Sequence, residues 1–299
     1  MEGQWPYYHA SPAGVAHDLA HCDGLVLVPA DTKVRVLNSA TCRFVTLPWS
    51  THGVRPDGFS YGQQEFGLGH DPSSNTYKVA RFFYRSKHDL GMEVFTLGGQ
   101  HCWRETAKRP LYPVKPGRTA TFFKGSLIWT VGEEICRDAP GFLRFCLEDD
   151  LSSIIPPPPC WSPRLVYAST SLAEVHGDLC LCVPRLEHGY GTMEMWTCGE
   201  LGNNNLPAQW DRRYILADVP FFCTYQSLRF VGIFDDEIVF RVESYRLSLY
   251  SRPQGVLKSA KSIMDLKFHD PITDILVEYT RENLIGFDAI PFVPSLVPV

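Results

Sequence analysis

The sequence predicts an all-β fold made of repeated four-stranded antiparallel sheets, and three observations lead to this class. Short alternating apolar runs recur along the 299 residues, polar turns with a glycine precede several of them, and the copies are evenly spaced. Alternation along a strand places apolar side chains on one face of a sheet and polar ones on the other. Copies that recur every ~40–50 residues are typical of blade-type β repeats. We therefore expect a β-propeller, in which blades stack face to face around an axis.

The first repeated pattern is a polar turn followed by a burst of apolar residues. Its copies are HCDGLVLV (21–28), FKGSLIWTV (123–131) and VHGDLCLCV (175–183). Glycine suits a hairpin turn because it adopts positive φ at no steric cost. The sequence predicts such turns at Gly24, Gly125 and Gly177, with Asn75 and Asp236 taking this role in two further copies. Each burst is then the entry into the second strand of a blade.

The second pattern is an Arg or Glu between two apolar residues, which we predict as the third strand of each blade. Its copies VRV, MEV, LRF, MEM and YRL end at Val36, Val94, Phe145, Met195 and Leu247. Successive copies lie 50 to 58 residues apart. Phe145 and Leu179 are expected to face neighbouring blades, with Arg35, Arg144 and Glu194 on the opposite side of their strands.

Five clear repeats run from about Ala16 to Ile263, and each of the first four ends in a recognisable fourth strand. Beyond them, Leu266–Phe268 and Ile275–Tyr279 are predicted as two more strands, which we expect to belong to a sixth, incomplete blade. The segment SAKSIMDL (259–266) is the only candidate for a short helix. The predicted domains are an N-terminal segment, residues 1–15, and the propeller domain, residues 16–299.

Eight segments of the chain resemble, in the same order, the plant family of F-box-associated β-propeller domains. They are CDGLVLV, VRVLNSATCRFVTLP, FGLGHDPSSNTYKVARFF, EVFTLGGQHCWRE, FFKGSLIW, LRFCLED, LAEVHGDLCLC and MEMWTC, over about His21 to Trp210. The resemblance implies a substrate receptor of an SCF ubiquitin ligase, whose partners are target proteins for ubiquitination. Family members usually begin with an F-box that docks a Skp-type adaptor. Residues 1–15 show no F-box pattern, so we expect adaptor binding only if an F-box lies upstream.

The function that we expect is therefore non-catalytic recognition of proteins, without a cofactor. An adaptor-free scaffold or decoy that binds the same targets is the alternative. A hydrolase-type propeller is the less favoured third hypothesis, because the Asp-box motif of sialidases does not occur and a kelch-type Gly-Gly pair occurs only once, at Gly98/Gly99.

Composition and charge argue against several classes of partner. The net charge is −5 and the pI is about 6.1, and no run of Lys or Arg exceeds two residues. Nucleic acid and anionic membrane surfaces are thus not expected as partners, and no apolar run reaches the ~20 residues that span a bilayer. Most of the 10 cysteines are scattered inside apolar runs. They are expected to be reduced, which favours the cytoplasm or the nucleus.

Several motifs match catalytic or metal sites in part, but each fits a structural role better. GFSYG (58–62) has the nucleophile-elbow pattern without the strand-to-helix turn, and three carboxylate clusters fall at predicted turns. One cysteine pair lacks a second pair at zinc spacing, and three tryptophans follow the strand pattern of a core. These residues are Glu133/Glu134, Asp149/Asp150, Asp235/Asp236/Glu237, Cys180/Cys182 and Trp103/Trp129/Trp196. We expect no catalytic and no metal-binding residue.

The binding face is predicted at Pro184–Thr192, as a long connection between the second and third strands of the fourth unit. Gly189 and Gly191 favour mobility there, and His188 and Tyr190 are the predicted contact residues. Tyrosine is enriched at interfaces because it buries a large area at a small cost in conformational entropy. The alternative is an ordinary solvated hairpin loop.

Overall fold

The computed structural model describes residues 19–29, 34–52, 65–86, 89–99, 101–114, 119–131, 141–161, 170–187, 190–202, 208–217, 228–242, 246–262, 267–269, 276–278, 289–291 and 293–299. In these residues the chain forms 22 β-strands and no helix. The same part of the chain offers no helix long and apolar enough to cross a membrane.

Twenty of the strands form five four-stranded antiparallel blades. Blade 1 contains β1 (Ala20–Cys22), β2 (Leu25–Val28), β3 (Arg35–Asn38) and β4 (Arg43–Thr46). Blade 2 contains β5 (Phe66–Asp71), β6 (Thr76–Ser86), β7 (Asp89–Thr96) and β8 (Arg104–Glu105). Blade 3 contains β9 (Thr121–Phe123), β10 (Ser126–Thr130), β11 (Phe142–Cys146) and β12 (Ser152–Ile155). Blade 4 contains β13 (Ser171–Val175), β14 (Asp178–Glu187), β15 (Tyr190–Cys198) and β16 (Asp211–Leu216). Blade 5 contains β17 (Leu228–Phe234), β18 (Glu237–Val242), β19 (Arg246–Ser251) and β20 (Val256–Ser262).

The first strands of the blades lie innermost, around a common axis. Along the chain, β1 contacts β5, β5 contacts β9, β9 contacts β13, and β13 contacts β17. Hydrogen bonds join them across blades: the Ala120 amide donates to the Phe66 carbonyl (2.7 Å), and the Thr121 hydroxyl donates to the Leu172 carbonyl (3.0 Å). The amide of Phe230 likewise donates to the Ser171 hydroxyl oxygen (3.1 Å). These contacts confirm the predicted propeller with five blades.

Apolar clusters fill the four spaces between consecutive blades. Phe145 of blade 3 packs with Phe82 and Met92 of blade 2, and Leu179 of blade 4 packs with Phe142 of blade 3. Phe145 and Leu179 are at most 1% exposed, which confirms that they face neighbouring blades. Blade 3 thus buries both of its faces, as stacking of blades requires.

The two further strands predicted after the fifth repeat are present as β21 (Lys267–His269) and β22 (Leu276–Glu278), which pair as a two-stranded ribbon. A sixth four-stranded blade is not seen within the described residues. Two details of the sequence-based prediction do not hold. The helix predicted for 259–266 is wrong up to Ser262, because β20 continues that far and pairs with β19. Strand pairing here overrides a weak local helix propensity. The positive φ predicted for Asp236 belongs to Asp235 instead, whereas Gly24, Gly125, Gly177 and Asn75 have it as predicted.

The C-terminal segment, residues 289–291 and 293–299, has no regular secondary structure and crosses from blade 5 to blade 1. Pro291 lies beside Gly232 of β17. Further along, Nδ2 of Asn38 donates to the carbonyls of Ser295 (3.0 Å) and Val297 (2.7 Å). Val297 and Val299 then pack against the apolar cluster between blades 1 and 2. The segment therefore bridges the two ends of the row of blades.

Candidate functional site

Tight turns between the first and second strands of the blades gather at one end of the axis. Three of them are the two-residue turns Asp23–Gly24, Lys124–Gly125 and His176–Gly177, and both residues of each have positive φ. This combination is that of the type I′ hairpin turn, whose twist matches the flanking strands. The polar residues Asp23, Lys124 and His176 are in this way fixed at the mouth of the axis.

These turns surround an open cavity of about 400 Å³, which we call the axial funnel. Its volume lies in the ~300–1,000 Å³ range of ligand pockets. Blade 1 contributes residues 21–23, blade 3 residues 122–124, blade 4 residues 174–177, blade 5 residues 232–234, and the C-terminal segment Pro291 and Val293. A second cavity of about 70 Å³ lies deeper along the axis and shares His21, Phe122, Glu174 and Pro291 with the funnel. The inner cavity has room for a few water molecules only.

One wall of the axial funnel is an apolar ledge formed by Ile233, Phe234, Pro291 and Val293. Phe234 and Val293 are each 48% exposed, so the ledge presents two neighbouring apolar side chains to solvent. The pairing of β17 with β18 shifts register between Phe230 and Gly232, just before the ledge residues. Such an irregularity re-aims the side chains that follow it.

Charged side chains also line the mouth of the axial funnel. Asp23 accepts hydrogen bonds from the Tyr77 hydroxyl (3.2 Å) and the Cys22 thiol (3.5 Å). Glu174 accepts one from the amide of Gly177 (2.6 Å). These contacts orient both carboxylates, which remain exposed to solvent.

The positive charge of Lys124 is already engaged. Its Nζ donates to the carbonyl of Gly199 (2.7 Å) and to Oε1 of Glu200 (2.6 Å). Glu200 therefore compensates the ammonium group, and Asp23 and Glu174 leave a negative excess at the mouth of the axial funnel.

The thiol in the axial funnel is poorly suited to nucleophilic chemistry. Burial raises the pKa of Cys22 well above its usual value, and the neighbouring Asp23 carboxylate adds to the shift. Since the thiolate is the reactive form of cysteine, this thiol is held in its inert state at neutral pH. Burial, followed by the Glu194 carboxylate, also raises the pKa of Cys160, to about 11. No group of three or more His, Cys, Asp or Glu side chains within the described residues is arranged to hold a metal ion.

The segment predicted as the binding face is not a long connection. Residues 184–187 belong to β14 and residues 190–192 to β15, and the two strands pair as far as Glu187 with Tyr190. Tyr190 is thus the first residue of β15, and His188 lies outside the described residues. This hairpin end is separated from the axial funnel by the length of β14, about 30 Å at ~3.3 Å per residue. A binding role of His188 and Tyr190 stays a prediction.

The carboxylate clusters considered from sequence have structural partners where they are described. Asp150 accepts a hydrogen bond from Arg104 (2.6 Å), and Asp236 accepts one from Arg252 (2.9 Å). Glu237 pairs with Lys258 (3.0 Å). Glu133, Glu134 and the GFSYG motif (58–62) lie outside the described residues.

The cysteine pair and the tryptophans likewise take structural positions. Cys180 and Cys182 are at most 1% exposed in the cluster between blades 4 and 5. Trp129 is buried between blades 2 and 3. Trp103 donates its indole N–H to the Pro48 carbonyl (2.8 Å), and Trp196 donates to Glu194 (2.9 Å). None of the three tryptophans lines the axial funnel.

Sequence reasoning missed the axial funnel because its walls come from four blades and the C-terminal segment. One signal was available. In three repeats the turn glycine follows a polar residue, Asp23, Lys124 or His176, and equivalent turns of a propeller meet at one end of its axis. The apolar ledge had no such signal.

Similar solved structures include three proteins at low sequence identity. The Cps50 (Swd1) β-propeller domain of Myceliophteria thermophila is 11% identical, with 84% of this chain and 88% of that chain covered and a TM-score of 0.43. A triple-arginine mutant of AofleA from Arthrobotrys oligospora is 12% identical, with 80% of this chain and 68% of that chain covered and a TM-score of 0.44. The dihydro-heme d1 dehydrogenase NirN is 12% identical, with 82% of this chain and 56% of that chain covered and a TM-score of 0.39. The chain thus spans about half the length of the last of these. TM-scores at this level support no functional inference.

The sequence comparison is more specific. No curated protein matches the chain. A family model described as the F-box associated beta propeller domain matches residues 6–250, which is more than four fifths of the sequence. The match begins before β1 and ends inside β19, so it includes the five first-to-second strand turns. The chain belongs to the F-box associated β-propeller domain family.

Proposed function

We propose that this protein is a non-catalytic recognition module that holds target proteins for an SCF-type ubiquitin ligase. The observation that carries the proposal is the family match over residues 6–250 of a five-bladed ring. Target proteins are its proposed partners, together with a Skp-type adaptor if an F-box lies upstream, and the cytoplasm or the nucleus is its proposed location.

The geometry of the ring supports recognition. The type I′ turns and the hydrogen bonds between inner strands fix the mouth of the axial funnel, so a partner that binds there meets a preformed surface. A rigid binding surface lowers the entropy lost on association. The cavity is open, mixed in polarity and of ligand-pocket size.

The chemistry of the described residues supports a non-catalytic role. The thiols with a shifted pKa are all shifted upward, chiefly by burial, at Cys22, Cys160, Cys182 and Cys198.

The experiment is affinity purification of the tagged protein from cells that express it, followed by mass spectrometry and a ubiquitination assay. We expect a Skp-type adaptor, a cullin and a set of target proteins, and the targets should lose ubiquitin chains when the protein is removed. Targets without adaptor and cullin would instead indicate an adaptor-free scaffold or decoy. Turnover in a panel of ester and glycoside substrates would overturn the non-catalytic assignment.

A further inference from the structure

Two carboxylates at the mouth of the axial funnel are each anchored through one oxygen. Asp23 receives both of its hydrogen bonds on Oδ2, and Glu174 receives its bond on Oε1. Within the described residues, no donor reaches Oδ1 of Asp23 or Oε2 of Glu174. A carboxylate with one oxygen anchored and the other free is oriented to accept a charged donor.

Among the described residues that line the axial funnel, Lys124 is the only lysine or arginine, and it does not neutralise them. Lys124 directs its ammonium group to Glu200 and to the Gly199 carbonyl, and it lies 5.4 Å from the centre of the Phe123 ring. The net charge of the mouth therefore favours a positively charged partner.

The apolar ledge adds a second requirement. Phe234 and Val293 expose half of their surface, and Ile233 and Pro291 continue the ledge toward the axis. An apolar side chain placed here is removed from water, at ~25 cal/mol per Å² of buried apolar surface. The aliphatic stem of a lysine or arginine can also lie on the ledge while its charged end reaches a carboxylate.

We propose that the axial funnel binds an extended segment of a target protein in which an aromatic or aliphatic residue stands next to a lysine or arginine. This inference rests on the proposed function and names the chemistry of the target. The apolar residue occupies the ledge of Phe234 and Val293. The basic residue pairs with Asp23 or Glu174.

The test uses four labelled nine-residue peptides with the central pairs Phe-Arg, Phe-Glu, Ala-Arg and Ala-Glu in a Gly-Ser background, measured by fluorescence polarisation against the full chain. We expect Phe-Arg to bind most tightly and Ala-Glu least tightly. The affinity of Phe-Arg should fall as NaCl rises from 0.05 to 0.5 M, because exposed ion pairs are screened by salt.

Conservative variants locate the contact. Asp23→Asn keeps an acceptor for Tyr77 and tolerates the positive φ of this position, and Glu174→Gln keeps an acceptor for the Gly177 amide. Each should weaken Phe-Arg about two- to fivefold and the double variant about tenfold, with Ala-Glu unaffected. Phe234→Ala should weaken both Phe peptides about five- to tenfold. The matched control is Asp211→Asn, which removes an exposed carboxylate from the outer strand of blade 4.

Equal binding of Phe-Arg and Phe-Glu, or an equal effect of Asp211→Asn and Glu174→Gln, would overturn the inference. The proposed function is judged separately, by the targets and adaptor that co-purify. If the Asp23→Asn/Glu174→Gln protein still captures every target of the unmodified protein, targets bind elsewhere on the ring and only the funnel inference fails.

Discussion

The interfaces between consecutive blades and the junction of blade 5 with blade 1 are built differently. At each of the four interfaces between consecutive blades, side chains from the two neighbouring sheets form an apolar cluster. At the junction, the contacts seen within the described residues come from the C-terminal segment, which passes Gly232, Gly24 and Asn38. Apolar packing between sheets therefore joins blades that follow one another in the sequence, whereas the described contacts between blade 5 and blade 1 run through the C-terminal segment and the side-chain amide of Asn38.

Sequence separation explains part of this difference. Neighbouring blades are about 50 residues apart, but Asn38 and Val297 are 259 residues apart. A loop that is five times longer costs about 1.4 kcal/mol more entropy on closure, at ~0.6 kcal/mol per doubling. We therefore expect the junction of blade 5 with blade 1 to be less stable than the interfaces between consecutive blades.

The largest effect is expected at an interface between blades. Phe145→Ala removes a 1% exposed ring from the cluster between blades 2 and 3, and should lower the free energy of unfolding by about 3–5 kcal/mol. Urea unfolding followed by circular dichroism measures it. Phe44→Ala is the control, since Phe44 is 47% exposed on the outer strand of blade 1 and should change stability by less than about 1 kcal/mol. Equal losses in both variants would contradict the assignment of the core.

The next effect concerns the junction. In Gly24→Ala the added Cβ would collide with Cβ of Ser295 and the Val293 carbonyl, at a residue with φ of 80°. Gly177→Ala meets the same backbone penalty at φ 86°, but no described atom lies within 4 Å of its added Cβ. We expect about 1–2 kcal/mol for Gly177→Ala and about 2–3 kcal/mol for Gly24→Ala.

The two glycine variants should also differ in proteolysis. Carboxypeptidase should shorten the Gly24→Ala protein faster than the Gly177→Ala protein, because only the former displaces the C-terminal segment. If the two variants have the same stability and are cleaved at the same rate, the C-terminal segment does not pack against the Asp23–Gly24 turn.

A third variant isolates the amide that holds the segment. Oδ1 of Asn38 accepts hydrogen bonds from the amides of Ala40 (2.9 Å) and Thr41 (3.1 Å), while Nδ2 donates to the carbonyls of Ser295 and Val297. Asn38→Asp keeps an acceptor for the two amides but replaces the Nδ2 donor with a second acceptor. We expect a loss of about 1–3 kcal/mol in urea unfolding, together with faster hydrogen exchange of the Val297 amide. Slower or unchanged exchange would contradict this role of Asn38.

The smallest expected effect is a pH-dependent loss of stability at the interface between blades 2 and 3. Lys78 joins blades 2 and 3, because its Nζ contacts Asp71 (2.8 Å) and the Leu147 carbonyl (2.6 Å). Burial alone would raise the pKa of Asp71, but hydrogen bonds from Lys78, Ser74 and Ser73 outweigh it and hold the pKa well below its usual value. The stability that Asp71 contributes is therefore complete above about pH 4 and is lost as the pH falls through its lowered pKa.

Asp71→Asn should accordingly be less stable by about 1–2 kcal/mol at pH 7, and this difference should shrink below about pH 4. Urea midpoints at pH 7, 5 and 3 measure it. Asp211→Asn, which removes an exposed carboxylate, should show no such trend. A difference that is the same at all three pH values would mean that Asp71 acts through packing rather than through its charge.

Sequence patterns were informative wherever structure is local. The turn residues Gly24, Gly125 and Gly177 and the alternation around Phe145 predicted the hairpins and the faces of the blades, since both depend on neighbouring residues. The same reasoning is wrong for 184–192, because the glycines suggest a long loop whereas β14 and β15 pair as far as Glu187 with Tyr190.

The candidate site could not be predicted to the same extent. Phe234 and Val293 are 59 positions apart in sequence and meet only because the C-terminal segment crosses the mouth of the axial funnel. The stretch IPFVPSLVPV carries no periodic pattern that specifies its position, because its hydrogen bonds to Asn38 use the backbone carbonyls of Ser295 and Val297. The apolar side chains of Val297 and Val299 that pack between blades 1 and 2 do not by themselves indicate which cluster they join. Contacts of this kind leave no pattern in the residues that make them.

The way in which the C-terminal segment is attached has a mechanical consequence. Its contacts lie in series, first Val299 and Val297 in their apolar cluster, then the two hydrogen bonds of Asn38, and finally Pro291 beside blade 5. A force applied at the last residue loads these contacts one at a time, whereas the strands within a blade share a load across several paired residues. A ring pulled from this end should peel open at low force before any blade unravels, and a tether placed there would report on closure rather than on the strength of the sheets.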